Sequence, residues 1–305
     1  MLATAVGTLP AGDGWAFEFK WDGVRALIDV SGGRARITSR LGNDVSGGYP
    51  EVVTQAAEAD DALLDGEIVA FVDGRPSFEQ LQTRMHVRGR AEVARLAVSC
   101  PVTFVAFDLL RRGGIDLTGR PYRERRTALE TFVEDHPGWT ISPSFDDGPA
   151  TESVARTHGF EGVVAKRLSS TYRPGTRSED WRKLRFVRAG DFAVLGWEAA
   201  AEHPNTLTSL VLGVTGSDGL RFAGRVGSGL SGREAAKVKE LLTERADAAV
   251  DGVAPPMRGR RLHWVEPAVV VEVEFLMWTD DGRLRAPVYR GVRSDKTVDE
   301  ARGDG

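Results

Sequence analysis

Cysteine is almost missing from this sequence, with Cys100 the one example in 305 residues. A single thiol rules out an internal disulfide and any cysteine-rich zinc centre, and it makes a reducing, cytoplasmic setting the default expectation. Long apolar runs are missing as well, since none approaches the ~20 residues that a membrane-crossing helix needs. The start, Met1-Leu2-Ala3-Thr4-Ala5-Val6, lacks the basic leader and apolar core of a secretory signal. Nor is there an excess of positive charge. The net charge of −4 argues against a surface coated for nucleic acid. It leaves room for a local basic track, because binding depends on where the charges sit. Arginines do gather at Arg84, Arg88 and Arg90, at Arg120 to Arg126, and with lysines from Lys166 to Arg188. A phosphate track built from them predicts DNA affinity that falls steeply with salt.

What is present is ordinary globular composition, 41% hydrophobic and 28% charged, in a chain long enough for two domains. Residues 1–189 read as an α+β domain of antiparallel strands and short helices. Ala26 to Arg40 is a hairpin around Ser31-Gly32-Gly33, and apolar strands follow at Leu63 to Phe71, Val102 to Leu110 and Gly162 to Lys166. Helices are expected from Pro50 to Ala59, Phe78 to Arg84, Tyr122 to Glu134 and Thr151 to His158. Residues 190–305 change character, with five or six short strands broken by glycines, among them a last strand pair near Trp278 to Tyr289, and one helix from Gly232 to Ala246. That suits a small β-barrel of the OB-fold kind.

Chemistry concentrates in a few places. In Glu18-Phe19-Lys20-Trp21-Asp22-Gly23-Val24-Arg25, alternation puts Lys20 on one face between two carboxylates that would control its proton. The same pattern fits a half-buried strand with a charged outer face. Glu67, Asp108 and Glu161 sit in or beside apolar strands, where a lone charge is costly without a partner or a ligand. For Asp108 a structural salt bridge and a catalytic role are both open. Lys183 and Arg185 fall on one side of a strand, a spacing suited to a phosphate and to depressing a neighbouring lysine's pKa.

In order, these segments resemble the nucleotidyltransferase motifs of ATP-dependent DNA ligases. Lys20 to Arg25 is similar to KxDGxR, Ser39-Arg40 to motif Ia, Asp65-Gly66-Glu67 to motif III and Phe104 to Leu109 to motif IIIa. Glu161 to Lys166 resembles motif IV, Trp181 to Arg185 motif V, and Arg293-Ser294-Asp295-Lys296 the RxDK of motif VI. Trp21, Gly224 to Gly229 and His263 to Pro267 look like the bacterial non-homologous end-joining branch; Arg185 departs from it where many ligases carry lysine. The resemblance implies an adenylation (nucleotidyltransferase) domain followed by an OB-fold β-barrel domain. It implies Lys20 as the residue that takes AMP from ATP, with Phe107 stacking on adenine and Glu18, Arg25, Arg40 and Glu67 around the nucleoside. Lys183 and Arg185 would face the α-phosphate, Glu67 and Glu161 would hold Mg²⁺ or Mn²⁺, and Arg293, Asp295 and Lys296 would act on pyrophosphate once the domains close. Phe78 and Arg84 are the expected DNA contacts, and nicked or broken double-stranded DNA the substrate. A monomer, the Ku end-binding protein as a candidate partner and a nucleoid location complete the expectation; a stand-alone ligase and one module of a larger repair protein are both open. An RNA ligase, a capping guanylyltransferase and a non-catalytic DNA-end-binding module remain the alternatives.

Overall fold

The computed structural model describes residues 1–256 and 258–303. The chain divides into two units, Met1–Phe186 and Val187–Gly305. Strands of the first unit are β1 (Leu2–Ala5), β2 (Trp15–Phe19), β3 (Val24–Ser31), β4 (Arg34–Ser39), β5 (Ala62–Val72) and β6 (Arg75–Pro76), then β7 (Val102–Arg112), β8 (Ile115–Asp116), β9 (Thr140–Ile141), β10 (Ser144–Phe145), β11 (Gly162–Arg167) and β12 (Arg177–Arg185). Its helices are α1 (Pro50–Ala57), α2 (Phe78–Arg84), α3 (Arg90–Ser99), α4 (Tyr122–Asp135) and α5 (Gly148–Thr157).

These strands make two sheets, one in the order β4-β3-β5-β7-β8 with β6 and β9 attached, the other in the order β1-β12-β11-β2-β10. The β3–β4 hairpin turns on Gly32 and Gly33, at φ 58° and 71°, the left-handed pair that a tight two-residue turn requires. The main core lies on one face of the first sheet. Ile28, Leu64, Ile68 and Phe104 meet Val52 of α1, Leu81 of α2 and Leu129 and Phe132 of α4 there. The second sheet buries Phe17, Val163 and Ala165 against Ala155 of α5. A third, smaller cluster joins the sheets to each other: Tyr172 and Trp181 pack with Leu110, Leu27, Leu63 and Phe107. The open site lies around that seam.

In the second unit β13 (Arg188–Ala200), β14 (Leu207–Gly216), β15 (Gly219–Val226), β16 (Glu244–Arg245), β17 (Arg260–Val265), β18 (Val270–Phe275) and β19 (Val288–Val292) form one antiparallel sheet, with α6 (Gly232–Glu240) beside it. The long β13 organises it: Arg188 to Ala193 pair with β18, Gly196 to Ala200 pair with β17, and β14 runs along the other edge. One strand shared this way curls a sheet around Phe192, Val194, Trp197 and Phe275, which are its core.

The structure changes three expectations about elements. Helix α6 stops at Glu240 instead of Ala246, because Glu244 and Arg245 pair with β17 as a strand. Helix α3, unforeseen, has only Val93 and Leu96 buried, so its apolar stripe is too thin to read. The strand pair expected from Trp278 to Tyr289 is a single Trp278–Leu284 bridge followed by β19.

Candidate active site

Lys20 follows the last residue of β2, held there by its backbone N–H, which donates to the Gly162 carbonyl. Its ammonium pairs with Glu161, and Arg185 Nε holds the other oxygen of the same carboxylate at 2.9 Å. Glu161 therefore brings together two cations that lie far apart in the chain, Lys20 after β2 and Arg185 at the end of β12. The expectation that Glu18 and Asp22 flank Lys20 and govern its proton is corrected on one side. Glu18 is 2% exposed and turns inward, accepting from the Tyr122 hydroxyl and pairing with Lys166 at 2.6 Å. Both faces of β2 are covered, one by α5 and the other by the seam between the sheets, so strand alternation here separates two interiors. As a cofactor contact Glu18 is corrected too, because its carboxylate is committed to internal partners.

Lys183 stands opposite Val164 on β12, and Val164 stands opposite Glu18 on β2. Among the described residues the Lys183 side chain has no hydrogen bond or ion pair, although its backbone carbonyl accepts from the Val6 N–H. Its pKa is lowered, first by burial and then by the nearby charges of Arg185 and Lys20. Glu67 lies on β5 across from Arg25 on β3. Its side chain too makes no hydrogen bond or ion pair, and withdrawal from water pushes its carboxyl up to about 8 against the opposing pull of Lys20 and Arg25. Gly23 is required beside it, because a Cβ there would lie 2.2 Å from the Ile68 carbonyl oxygen and 2.8 Å from Glu67 Cγ.

Arg25 is clamped by Asp65, Nε to Oδ1 at 3.0 Å and NH2 to Oδ2 at 2.6 Å. The Tyr172 hydroxyl donates to the same carboxylate at 2.7 Å. That leaves Arg25 between the Phe107 and Trp181 rings, 5.5 and 5.8 Å from their centroids. Asp65, Tyr172 and Tyr122 were absent from the expected site; Asp65 was visible only as part of Asp-Gly-Glu, and neither tyrosine carries a local signal.

Arg40 lies exposed just beyond β4, and among the described residues no hydrogen bond or ion pair joins it to these groups. Asp108 resolves in favour of a structural ion pair: it and Arg125 are both fully buried and joined by two 2.8 Å hydrogen bonds. Arg84 is the clearest correction. Its side chain is 1% exposed and donates to Glu51 at 2.7 Å and to the carbonyls of Gly48 and Cys100 at 2.9 and 2.7 Å. A guanidinium so enclosed braces α2 and is not available to a DNA phosphate. Phe78 opens α2 after the Ser77 cap and packs its half-buried ring against the main core. In the second unit Arg293 holds Asp295 by two 2.8 Å hydrogen bonds and Asp191 at 3.0 Å, while Lys296 lies 4.0 Å from Glu300.

No group of three or more potential metal ligands occurs among the described residues. No described helix is long and apolar enough to cross a membrane.

Comparison with known proteins supplies the context. The ATP dependent DNA ligase domain family matches residues 1–185, and the ATP dependent DNA ligase C terminal region matches residues 203–296. A multifunctional non-homologous end joining DNA repair protein, LigD of Mycobacterium tuberculosis, is 39% identical over 98% of this chain, which spans 39% of that protein. DNA ligase C2 of Mycolicibacterium smegmatis is 35% identical over 81% of this chain and 70% of its own length. The crystal structure of the ligase domain from M. tuberculosis LigD is 38% identical and superimposes with a TM-score of 0.53, covering 98% of this chain and 97% of that one. A mycobacterial DNA ligase D complexed with ATP matches similarly, at 37% identity and a TM-score of 0.54 over 99% of this chain and 98% of its own. The fold is therefore a nucleotidyltransferase unit followed by an OB-fold-like unit, and the chain belongs to the ATP-dependent DNA ligases.

Proposed function

We propose that this chain seals 5′-phosphate/3′-hydroxyl breaks in double-stranded DNA in three steps, beginning with transfer of AMP from ATP to Lys20. The observation that supports it is convergence: Lys20, Glu161 and Arg185 form one charge cluster, with the uncommitted Lys183 and Glu67 within electrostatic reach of Lys20. A site for phosphate needs cations without fixed partners, and a nucleophilic lysine needs a group that can take its proton.

In the first step the Lys20 nitrogen attacks the α-phosphorus, the bond to the bridging oxygen breaks and pyrophosphate leaves. The Glu161 carboxylate in contact with Lys20 is suited to receive the proton released. Lys183 and Arg185 offset the negative charge that builds on the α-phosphate, each differently, since lysine is a point charge and arginine a fork. Phe107 stacks on adenine while Arg25, fixed by Asp65 and Tyr172, serves the ribose side. Arg40 serves the nucleotide from the exposed end of β4. AMP then passes to a DNA 5′-phosphate, and the 3′-hydroxyl displaces it.

The donor set fits a divalent cation in part. Glu67 is an uncommitted carboxylate that burial keeps from ionising, and a hard cation is what would favour its charged form. With Glu161 it would hold Mg²⁺ or Mn²⁺, phosphate oxygens and water completing the shell; when bound, the ion would offset phosphate charge. Arg293, Asp295 and Lys296 act on the pyrophosphate end of ATP in the first step only. Arg293→Ala is therefore expected to slow enzyme-AMP formation far more than sealing of pre-adenylated DNA. Phe78 serves as the apolar contact with the distorted duplex at a nick.

The names of the mycobacterial relatives support a wider reading, action in end joining; with it we propose a monomer recruited by the Ku end-binding protein within the nucleoid. The test of the core reading is incubation with α-labelled ATP and a divalent metal, followed by denaturing electrophoresis. Label held covalently by wild type and lost in Lys20→Ala is expected. Absence of label, with AMP already on Lys20 excluded by mass spectrometry, overturns it.

A further inference from the structure

Beneath Phe107 lies a group that the three-step scheme does not use. In the pairing of β5 with β7, Asp65 stands opposite Asp108 and Gly66 opposite Ala106, so Phe107 is the extra residue of a β-bulge with no partner across the ladder. A bulge redirects one side chain and leaves its backbone polar groups to find other partners. The Phe107 carbonyl finds one on the other sheet, accepting from Lys166 Nζ at 2.8 Å. Lys166 is 2% exposed, and its ammonium lies 4.5 Å from the centroid of the Phe107 ring, 4.6 Å from Trp181 and 4.9 Å from Tyr122. Glu18 balances the charge at 2.6 Å, and the Tyr122 hydroxyl donates to the same carboxylate oxygen.

The other charges around Lys166 are those of Asp108 and Arg126. Burial pulls the Lys166 pKa down, and Glu18 and Asp108 oppose that pull. A lysine buried only for stability needs its carboxylate. This one also reaches across a seam to fix the one residue that the bulge frees from its ladder, and it sets a cation against that residue's ring.

We propose that Lys166 is a positioning residue for the nucleobase: through the Phe107 carbonyl and ring it fixes the angle and the electronic character of the surface on which adenine stacks. Lys166 at 4.5 Å and Arg25 at 5.5 Å both lie over this ring, and cations there draw its electron density, which favours stacking by an electron-rich purine. Glu18 and Tyr122 set the ammonium's place and so act through it. This role rests on Phe107 being the adenine platform.

The experiment is a double-mutant cycle on enzyme-AMP formation with Lys166→Met, Phe107→Ala and their combination, measuring KM for ATP and kcat separately. Lys166→Met is expected to raise KM for ATP by ~10-fold, the scale of one hydrogen bond plus one cation–π contact, with kcat changed much less. In the Phe107→Ala background the same substitution should add almost nothing. Losses that multiply in the combined variant, or a fall in kcat at unchanged KM, overturn the proposal. Should Lys166→Met fail to fold because Glu18 is left unpaired, Glu18→Gln/Lys166→Met buries a neutral pair and must show the same KM rise. Failure of the wild type to form enzyme-AMP refutes the functional reading itself. A wild type that labels, with an unchanged KM in the variants, refutes only the role of Lys166.

Discussion

The first unit holds two populations of charge, one at the open face and one in the seam beneath it, and they differ in how completely they are paired. In the seam every charge is spoken for: Asp108 with Arg125, Glu18 with Lys166 and Tyr122, Asp65 with Arg25 and Tyr172. At the face the side chains of Lys183 and Glu67 have no hydrogen bond or ion pair among the described residues, and the Lys20 side chain keeps 18% of its surface in solvent. Buried pairs cannot bind a newcomer without losing what they have, so they serve shape. Unsaturated charges at the face cost stability and retain binding capacity. Substitutions should sort the same way: face changes move chemistry directly, and seam changes move stability, except at Arg25 and Lys166, which border Phe107 and so also move ATP binding.

The largest expected separation comes from Lys20→Ala. Enzyme-AMP should fall to background while Tm stays within ~2 °C of wild type, since a partly exposed side chain carries little folding energy. A large fall in Tm would move Lys20 into the structural class. Next is Asp108→Ala, which strands the fully buried Arg125 and should cost about 3–5 kcal/mol in denaturant unfolding. Asp108→Leu/Arg125→Met should recover only part of that loss, because Arg125 also donates to the carbonyls of Arg120 and Ser170.

Glu67 sharpens the comparison through pH. An unfolded glutamate titrates near ~4.3, whereas the folded carboxyl lies at about 8. The native state therefore favours the neutral form. That contribution is fully present below the unfolded value and is lost as pH rises through the folded one. Glu67→Gln keeps the neutral shape at every pH, so its Tm advantage over wild type should open up between pH ~5 and ~8 and close below that window. A constant difference across the window would mean that Glu67 is ionised throughout and paired by other means.

How much of this was readable beforehand follows from the range of each interaction. The β3–β4 hairpin declares itself locally, through Gly32 and Gly33, and α4 through its apolar spacing. Lys20, Glu67 and Glu161 stood out because each is a charge within or next to an apolar strand, and Lys183 and Arg185 because alternation puts both on one side of theirs. Which carboxylate Lys20 meets did not, because pairing of Lys20 with Glu161 rather than Glu18 depends on β2 and β11 lying side by side. The Phe107 bulge was likewise hidden, being a register shift between two strands that shows only once they are paired. Arg84 read as an exposed base at the end of a short helix, since nothing local indicates that Glu51 and three carbonyls enclose it.

That arginine supplies the smallest expected effect and the sharpest contrast with Arg125. Its partner Glu51 keeps 24% of its side-chain surface exposed, so water can replace part of what Arg84→Met removes, whereas nothing reaches Asp108. The loss should be ~1–3 kcal/mol, mostly from the carbonyls of Gly48 and Cys100 left without a donor. Affinity for a nicked duplex and its dependence on salt should both match wild type once the folded fraction is corrected for. An arginine that touched a phosphate would lower the slope of log affinity against log salt by about one when removed. A reduced slope in Arg84→Met would therefore return this residue to the face population, and with it the idea that α2 presents charge to DNA.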